Sequence, residues 1–161
     1  MALLQRGGVG ERHVPRDAIG GALSPKDAKT VQDFLKEALC ELPSGRLVLR
    51  RDEVYLAPEI PIPSGGIFAP GVCIGTLQKG RLVPHHHLYS AYGRNFTRQL
   101  SLSHGDARVE RYLRGEEIDA PELQGENGFA AVLYEGAPLG GGKTVDGRMK
   151  NHYPKGLRLR A

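Results

Sequence analysis

Leu139 to Arg160 read LGGGKTVDGRMKNHYPKGLRLR, and the rest of the chain is best understood from this stretch. Three consecutive glycines, Gly140 to Gly142, lead into Lys143, Arg148, Lys150, Lys155, Arg158 and Arg160, with Asp146 the only acid among them. From Lys143 to the end there are six positive charges and one negative. The other 142 residues hold 16 basic and 17 acidic side chains, so the chain's net +4 is a property of its tail. Charge concentrated in this way is an electrostatic footprint for a polyanion. A solvated basic terminus would carry the same run.

The residue types in the tail suit RNA. Lysine and arginine meet phosphates, Asn151 can pair with a base edge, and His152 and Tyr153 can stack on an unpaired base. Pro154 and Gly156 restrict the backbone around them. The competing reading packs Tyr153 and Leu157 in a core and leaves the lysines merely solvated. Both can hold, because a strand has two faces.

A chain of 161 residues makes one domain or two small ones. With few aromatic residues and no tryptophan, each core must be mostly aliphatic. Gly 22 and Pro 11 imply many turns and argue against a helical bundle. Cys40 and Cys73 form no disulfide framework or metal motif and read as reduced, mostly buried thiols. No apolar run approaches the roughly 18 residues of a spanning helix, and the first residues are too short an apolar run for a signal peptide. The composition predicts a cytoplasmic protein without a membrane partner.

Residues 1–23 lack periodicity and read as a linker or arm, with Arg6, Arg12 and Arg16 able to touch nucleic acid. Ser24-Pro25-Lys26-Asp27 predicts a helix start, and Val31, Phe34, Leu35, Ala38 and Leu39 form its apolar stripe until Pro43 and Gly45 stop it. Residues 46–57 predict two short strands around Arg51-Asp52-Glu53. A proline-rich connection (Pro58, Pro61, Pro63) and a strand broken by glycines, Ile67 to Leu77, follow.

Pro84 to Gly93 predicts a short helix with Pro84 in its first turn and Gly93 as its C-cap. Its adjacent His85, His86 and His87 project about 100° apart and cannot converge on one ion, so no metal is expected. A strand over Thr97 to Leu102 comes next. Ser103-His104-Gly105-Asp106 then resembles a capping box for a helix that Gly115 ends. Phe129 to Tyr134 reads as the central strand of a second core. The composition shifts near residue 93, which predicts a module at 24–93 and another at 94–161, packed together.

Ala137 to Thr144 fits a relaxed phosphate-loop pattern. The mechanism needs a helix opening at the lysine, and Gly147 and Pro154 make that implausible. The glycines are better explained as a tight turn where backbone approaches backbone or RNA.

The tail run G-x-P-L-G-x-x-K…G-x-x-K-N-H-Y-P-K-G-L-R resembles the C-terminus of RsmF-like (Sun-type) bacterial RNA 5-methylcytosine methyltransferases. Gly80 to Leu88 (GRLVPHHHL) and Tyr112 to Glu116 (YLRGE) resemble two further elements of that family, in the same order. The resemblance implies an α+β chain of two small modules, the second a PUA-like mixed pseudo-barrel that binds RNA. It carries over Lys143, Lys150, Asn151, Tyr153, Lys155 and Arg158. Arg148, His152, Arg81 and His85 complete the candidate RNA-binding set.

Neither cysteine has the neighbours of that family's catalytic cysteines, and no S-adenosylmethionine loop is visible. The chain is therefore expected to be non-catalytic by itself and to hold no cofactor. S-adenosylmethionine would bind a methyltransferase domain, in cis or in a separate subunit. The expected partner is rRNA of the small subunit. The alternative is a protein-docking module that holds the methyltransferase domain or the assembling ribosome without touching RNA.

Overall fold

Ser24 begins the first helix by accepting the Asp27 amide on its hydroxyl at 3.1 Å. Helix α1 (Pro25–Ala38) has Pro25 where no amide donor is needed and Asp27 at the positive end of the dipole. Its apolar stripe buries Val31, Leu35 and Ala38. The computed structural model describes residues 21–57 and 71–160. The arm expected before Gly21, the prolines at 58, 61 and 63, and the start of the strand expected from Ile67 lie outside the described residues. Gly21 itself pairs with Leu49 through both backbone groups, at 2.8 and 2.7 Å.

The described residues form two compact units. Those up to Thr30 go with those of Pro43–Val83, and Val31–Leu42 goes with Pro84–Ala161 up to residue 160. The first unit is built on a four-stranded sheet of β1 (Arg46–Arg50), β2 (Glu53–Ala57), β3 (Val72–Gln78) and β4 (Arg81–Pro84), neighbours in sequence order. Val48, Val54, Leu56, Ile74 and Leu82 supply its buried aliphatic side chains. Cys73 is buried as expected, and burial pushes its thiol pKa up. Cys40 is exposed instead, because the buried stripe of α1 runs out at Leu39.

Pro84 closes β4 and is not part of a helix. The strand is at the sheet edge, where a residue without an amide donor is tolerated. Helix α2 (His86–Tyr92) starts only after His85. Gly93 stays right-handed at φ −55° and opens a 3-10 turn, so it is not the left-handed cap expected of it.

The second unit holds α2, β5 (Gln99–Leu102), α3 (Ala107–Leu113), β6 (Ile118–Asp119), β7 (Gly128–Tyr134), β8 (Ala137–Val145) and β9 (Arg148–Asn151). Its sheet runs β5-β7-β8-β9-β6, with β5 parallel to β7 and the other pairs antiparallel. The result is a mixed α+β pseudo-barrel. Asp106 caps α3, its carboxylate accepting the Arg108 amide at 2.9 Å, and the capping serine expected at Ser103 does not serve. Glu135-Gly136 and Asp146-Gly147 turn the chain with both residues at positive φ, the hairpin geometry that matches strand twist.

The largest departure from expectation is β8. Gly140 to Gly142 are no turn: they are the buried middle of this strand, which itself is the middle of the sheet. A Cβ on Gly140 would strike the Tyr112 hydroxyl, one on Gly141 the Tyr89 ring, and one on Gly142 the Lys150 carbonyl. The close backbone approach anticipated from the glycines is therefore real, but it happens inside a strand. Phe129 to Tyr134 is interior to the sheet without being its centre. Lys143-Thr144 falls within the same strand, with Thr144 fully buried and its hydroxyl donating to the Glu126 and Gly128 carbonyls at 2.8 and 3.0 Å. No helix opens there to hold phosphate.

Gly141→Ala should therefore overpack the unit against a fully buried ring. We expect a loss of about 1–3 kcal/mol in a denaturant titration, with no gain from the added helix or strand propensity.

Candidate nucleic-acid interface

The alternation of β8 and β9 sorts the tail onto two faces. Thr144 and Met149 lie opposite each other and are fully buried. Lys143 and Lys150 also lie opposite each other and point outward, both exposed. Phe129 on β7 is the cross-strand neighbour of Lys143, so Phe129, Lys143 and Lys150 form one row across three strands. The Lys143 ammonium sits 5.3 Å from the centre of the Phe129 ring. Among the described residues neither lysine makes an ion pair, and nor does Lys155, which is exposed on the 3-10 turn Lys155–Leu157.

His152 and α2 bound this row on one side. The His152 amide donates to the Gly141 carbonyl at 3.1 Å, which continues the pairing of β8 one residue beyond β9. Its Nδ1 shares a 3.1 Å hydrogen bond with the hydroxyl of Tyr89, which lies over Gly141. Burial first, and then the Lys143 charge, depress the His152 pKa. Burial drives the Tyr89 pKa strongly upward. At neutral pH this edge of the row carries no charge.

Other members of the expected set are committed elsewhere. Arg148 is exposed on β9, but its guanidinium donates to Glu117 at 2.7 Å and also to Asp119, tying β9 to the β6 segment. Asn151 donates to the Tyr112 and Glu116 carbonyls at 2.8 and 2.9 Å and accepts the Tyr153 amide at 2.7 Å. Its amide nitrogen thus holds the end of α3 to the strand, and its oxygen holds the Tyr153 backbone. Tyr153 packs against Tyr112, ring centres 5.4 Å apart, and meets His86 edge-on at 5.6 Å. Arg158 donates to the Tyr153 carbonyl at 3.1 Å, with its side chain against Gly115. His85 is the half-buried N-cap of α2. Arg81 is exposed on β4, in the first compact unit.

The structure therefore brings Lys143, Lys150 and His152 together beside Phe129. That ring was hidden in the sequence as one more apolar residue of a buried strand. No sequence signal separated it from its neighbours; its half-burial and its place opposite Lys143 come from the strand register.

A PUA-type pseudo-barrel with a basic outward sheet face defines the class of the second unit. Residues 99–159 match the family model of the methyltransferase RsmF PUA domain, and residues 33–91 match that of the RsmF rRNA methyltransferase first C-terminal domain. The chain belongs to the RsmF family and comprises its C-terminal domains. It is 30% identical over 141 residues to the ribosomal RNA small subunit methyltransferase F of Aeromonas salmonicida, covering 83% of this chain and 29% of the relative. It is 28% identical over 138 residues to that of Shewanella oneidensis, with the same two coverages. The chain thus spans less than a third of the length of these relatives. The two matched regions meet between residues 91 and 99, whereas the second compact unit also takes in Val31–Leu42 and α2. Leu39 bridges to Phe96, and Tyr89 lies on β8, which accounts for the difference. Among the described residues no helix is long and apolar enough to cross a membrane.

Asn151→Leu should destabilise the second unit by about 1–3 kcal/mol, since two carbonyls would then lose their donor. The same variant should leave the affinity of the folded protein for polyanions nearly unchanged, as heparin chromatography would report. For His152, the unfolded chain holds the proton more readily than the folded one. Its contribution to stability is then complete above about pH 6.5 and is lost as pH falls through that value. His152→Gln should flatten part of the decline in Tm between about pH 7.5 and 5.5. His86, depressed by burial and then by His87, should account for a remainder.

Proposed function

We propose that this chain is the RNA-binding, substrate-positioning C-terminal region of an S-adenosylmethionine-dependent rRNA cytosine-5 methyltransferase. The observation that carries the reading is the outward pair Lys143 and Lys150, cross-strand neighbours without a carboxylate partner among the described residues. Like charges placed directly opposite one another destabilise a sheet unless an anion lies across them. A phosphate backbone meets that need, and phosphate contacts fix register and orientation without reading sequence. The relatives' name, ribosomal RNA small subunit methyltransferase, makes small-subunit rRNA the partner of choice.

On this reading the chain performs no methyl transfer itself. Cys73 is buried with its thiol pKa raised, the reverse of what a nucleophile needs. The methyl donor and the catalytic cysteines belong to a methyltransferase domain, in the same polypeptide or in another subunit, acting in the cytoplasm. The present region contributes by holding rRNA so that one cytosine meets that domain, which lowers the entropic cost of the encounter.

The test is a titration of the chain with small-subunit rRNA fragments across a series of salt concentrations. Affinity should fall linearly on a log–log plot, and Lys143→Ala/Lys150→Ala should reduce the slope by about 1.4, near 0.7 per lost contact on single strands. Binding that ignores salt and survives both substitutions would instead favour a module that docks protein.

A further inference from the structure

The proposal of RNA binding leaves open what form of RNA the face accepts, and the row Phe129–Lys143–Lys150 bears on this. Resting on that reading, we propose that the row is a site for unpaired RNA, with one base stacked on Phe129 and its flanking phosphates held by Lys143 and Lys150.

Phe129 is the only aromatic side chain on the outward face of β7, β8 and β9. The residue is half-buried rather than part of the closed core. Two neighbours steady it. Phe34 meets it at 5.2 Å with planes tilted by 57°, and His152 at 6.0 Å with a tilt of 46°. Neither lies flat on the ring, so among the described residues no parallel partner takes the place a base would occupy. What does approach the ring is the Lys143 ammonium, at 5.3 Å. An exposed cation over an aromatic face is held weakly, and a base can exchange for it. The displaced lysine then lies beside the bound nucleotide, where its charge meets phosphate.

The spacing agrees with such an arrangement. Adjacent strands are about 4.8 Å apart, so Lys143 and Lys150 rise about 5 and 10 Å from the ring across the face. A base on Phe129 thus has cations on one side of it, and the uncharged His152–Tyr89 pair on another. Bases inside an A-form helix are already stacked and cannot lie on a protein ring. The same lysines would still attract a duplex through its phosphates, but without help from Phe129. The ring therefore selects unpaired loops, bulges or ends.

The decisive experiment compares the wild-type chain, Phe129→Leu, Phe129→Tyr and Lys143→Ala/Lys150→Ala for binding a short single-stranded RNA and the same RNA annealed to its complement. The wild type should prefer the single strand. Phe129→Leu should lose about ten-fold or more on the single strand and little on the duplex, while Phe129→Tyr should bind like the wild type. Ultraviolet cross-linking of the wild type should attach a nucleotide to the peptide containing Phe129, a readout that survives if the leucine variant folds poorly. Equal binding of both RNA forms, or full single-strand affinity in folded Phe129→Leu, overturns the stacking site. If the double lysine variant still loses affinity in that case, electrostatic RNA binding stands alone. If it does not, both proposals fall.

Discussion

Two tyrosines reach the centre of the second unit because one strand has no side chains to keep them out. Tyr89 from α2 lies against Gly141, and Tyr112 from α3 donates its hydroxyl to the Gly141 carbonyl at 2.8 Å. Both rings are completely buried. The strand they rest on is the middle of the sheet, so the docking of both helices depends on Gly140 to Gly142. The position of His152 depends on them as well, through its bond to Tyr89. A buried hydroxyl without a partner would be costly, and each tyrosine has one.

The tail motif that resembles the RsmF family is mostly structural. In Lys150-Asn151-His152-Tyr153, only Lys150 points to solvent without a partner among the described residues. Asn151 closes the end of α3, His152 caps Tyr89, and Tyr153 joins the aromatic core beside Tyr112. In Tyr112 to Glu116, the tyrosine is core, Arg114 pairs with Glu110 and Glu116, and Gly115 at φ +88° ends the helix beneath Arg158. A recognisable motif thus marks a fold. The surface that could act is defined by the residues alternating with it.

Charge bookkeeping follows the same division. Arg98 pairs with Glu37 at 2.6 Å, Arg108 with Asp106 and Glu122 at 2.9 and 2.8 Å, and Arg148 with Glu117 and Asp119. These arginines hold elements of the second unit together, and the planar fork of the guanidinium suits them to it. In the tail, Lys143, Lys150, Lys155 and Arg160 make no ion pair among the described residues, and Arg158 meets only the Tyr153 carbonyl. The uncompensated charge of the tail is therefore smaller than its sum over sequence, because Arg148 is neutralised by Glu117 and Asp119.

Local signals were legible wherever a few neighbouring residues decide the outcome. Ser24 with Asp27 determined a helix start, Gly115 a helix end, Glu135-Gly136 a turn, and the apolar runs at 46–57 and 129–134 their strands. The α+β class and the RsmF resemblance needed no coordinates either. Gly140 to Gly142 were illegible as a strand, because glycine's own preference favours turns and only two incoming tyrosines make its lack of a side chain an advantage. The internal partners of Asn151 and Tyr153 could not be read from sequence, since Tyr112 and Glu116 lie more than thirty residues away. The same holds for the Phe129–Lys143–Lys150 row, which exists only through the register of three strands. Chain-local chemistry decides elements and their ends; which side chains meet is decided by pairing across the sheet, where a shift of one residue exchanges the buried face for the exposed one.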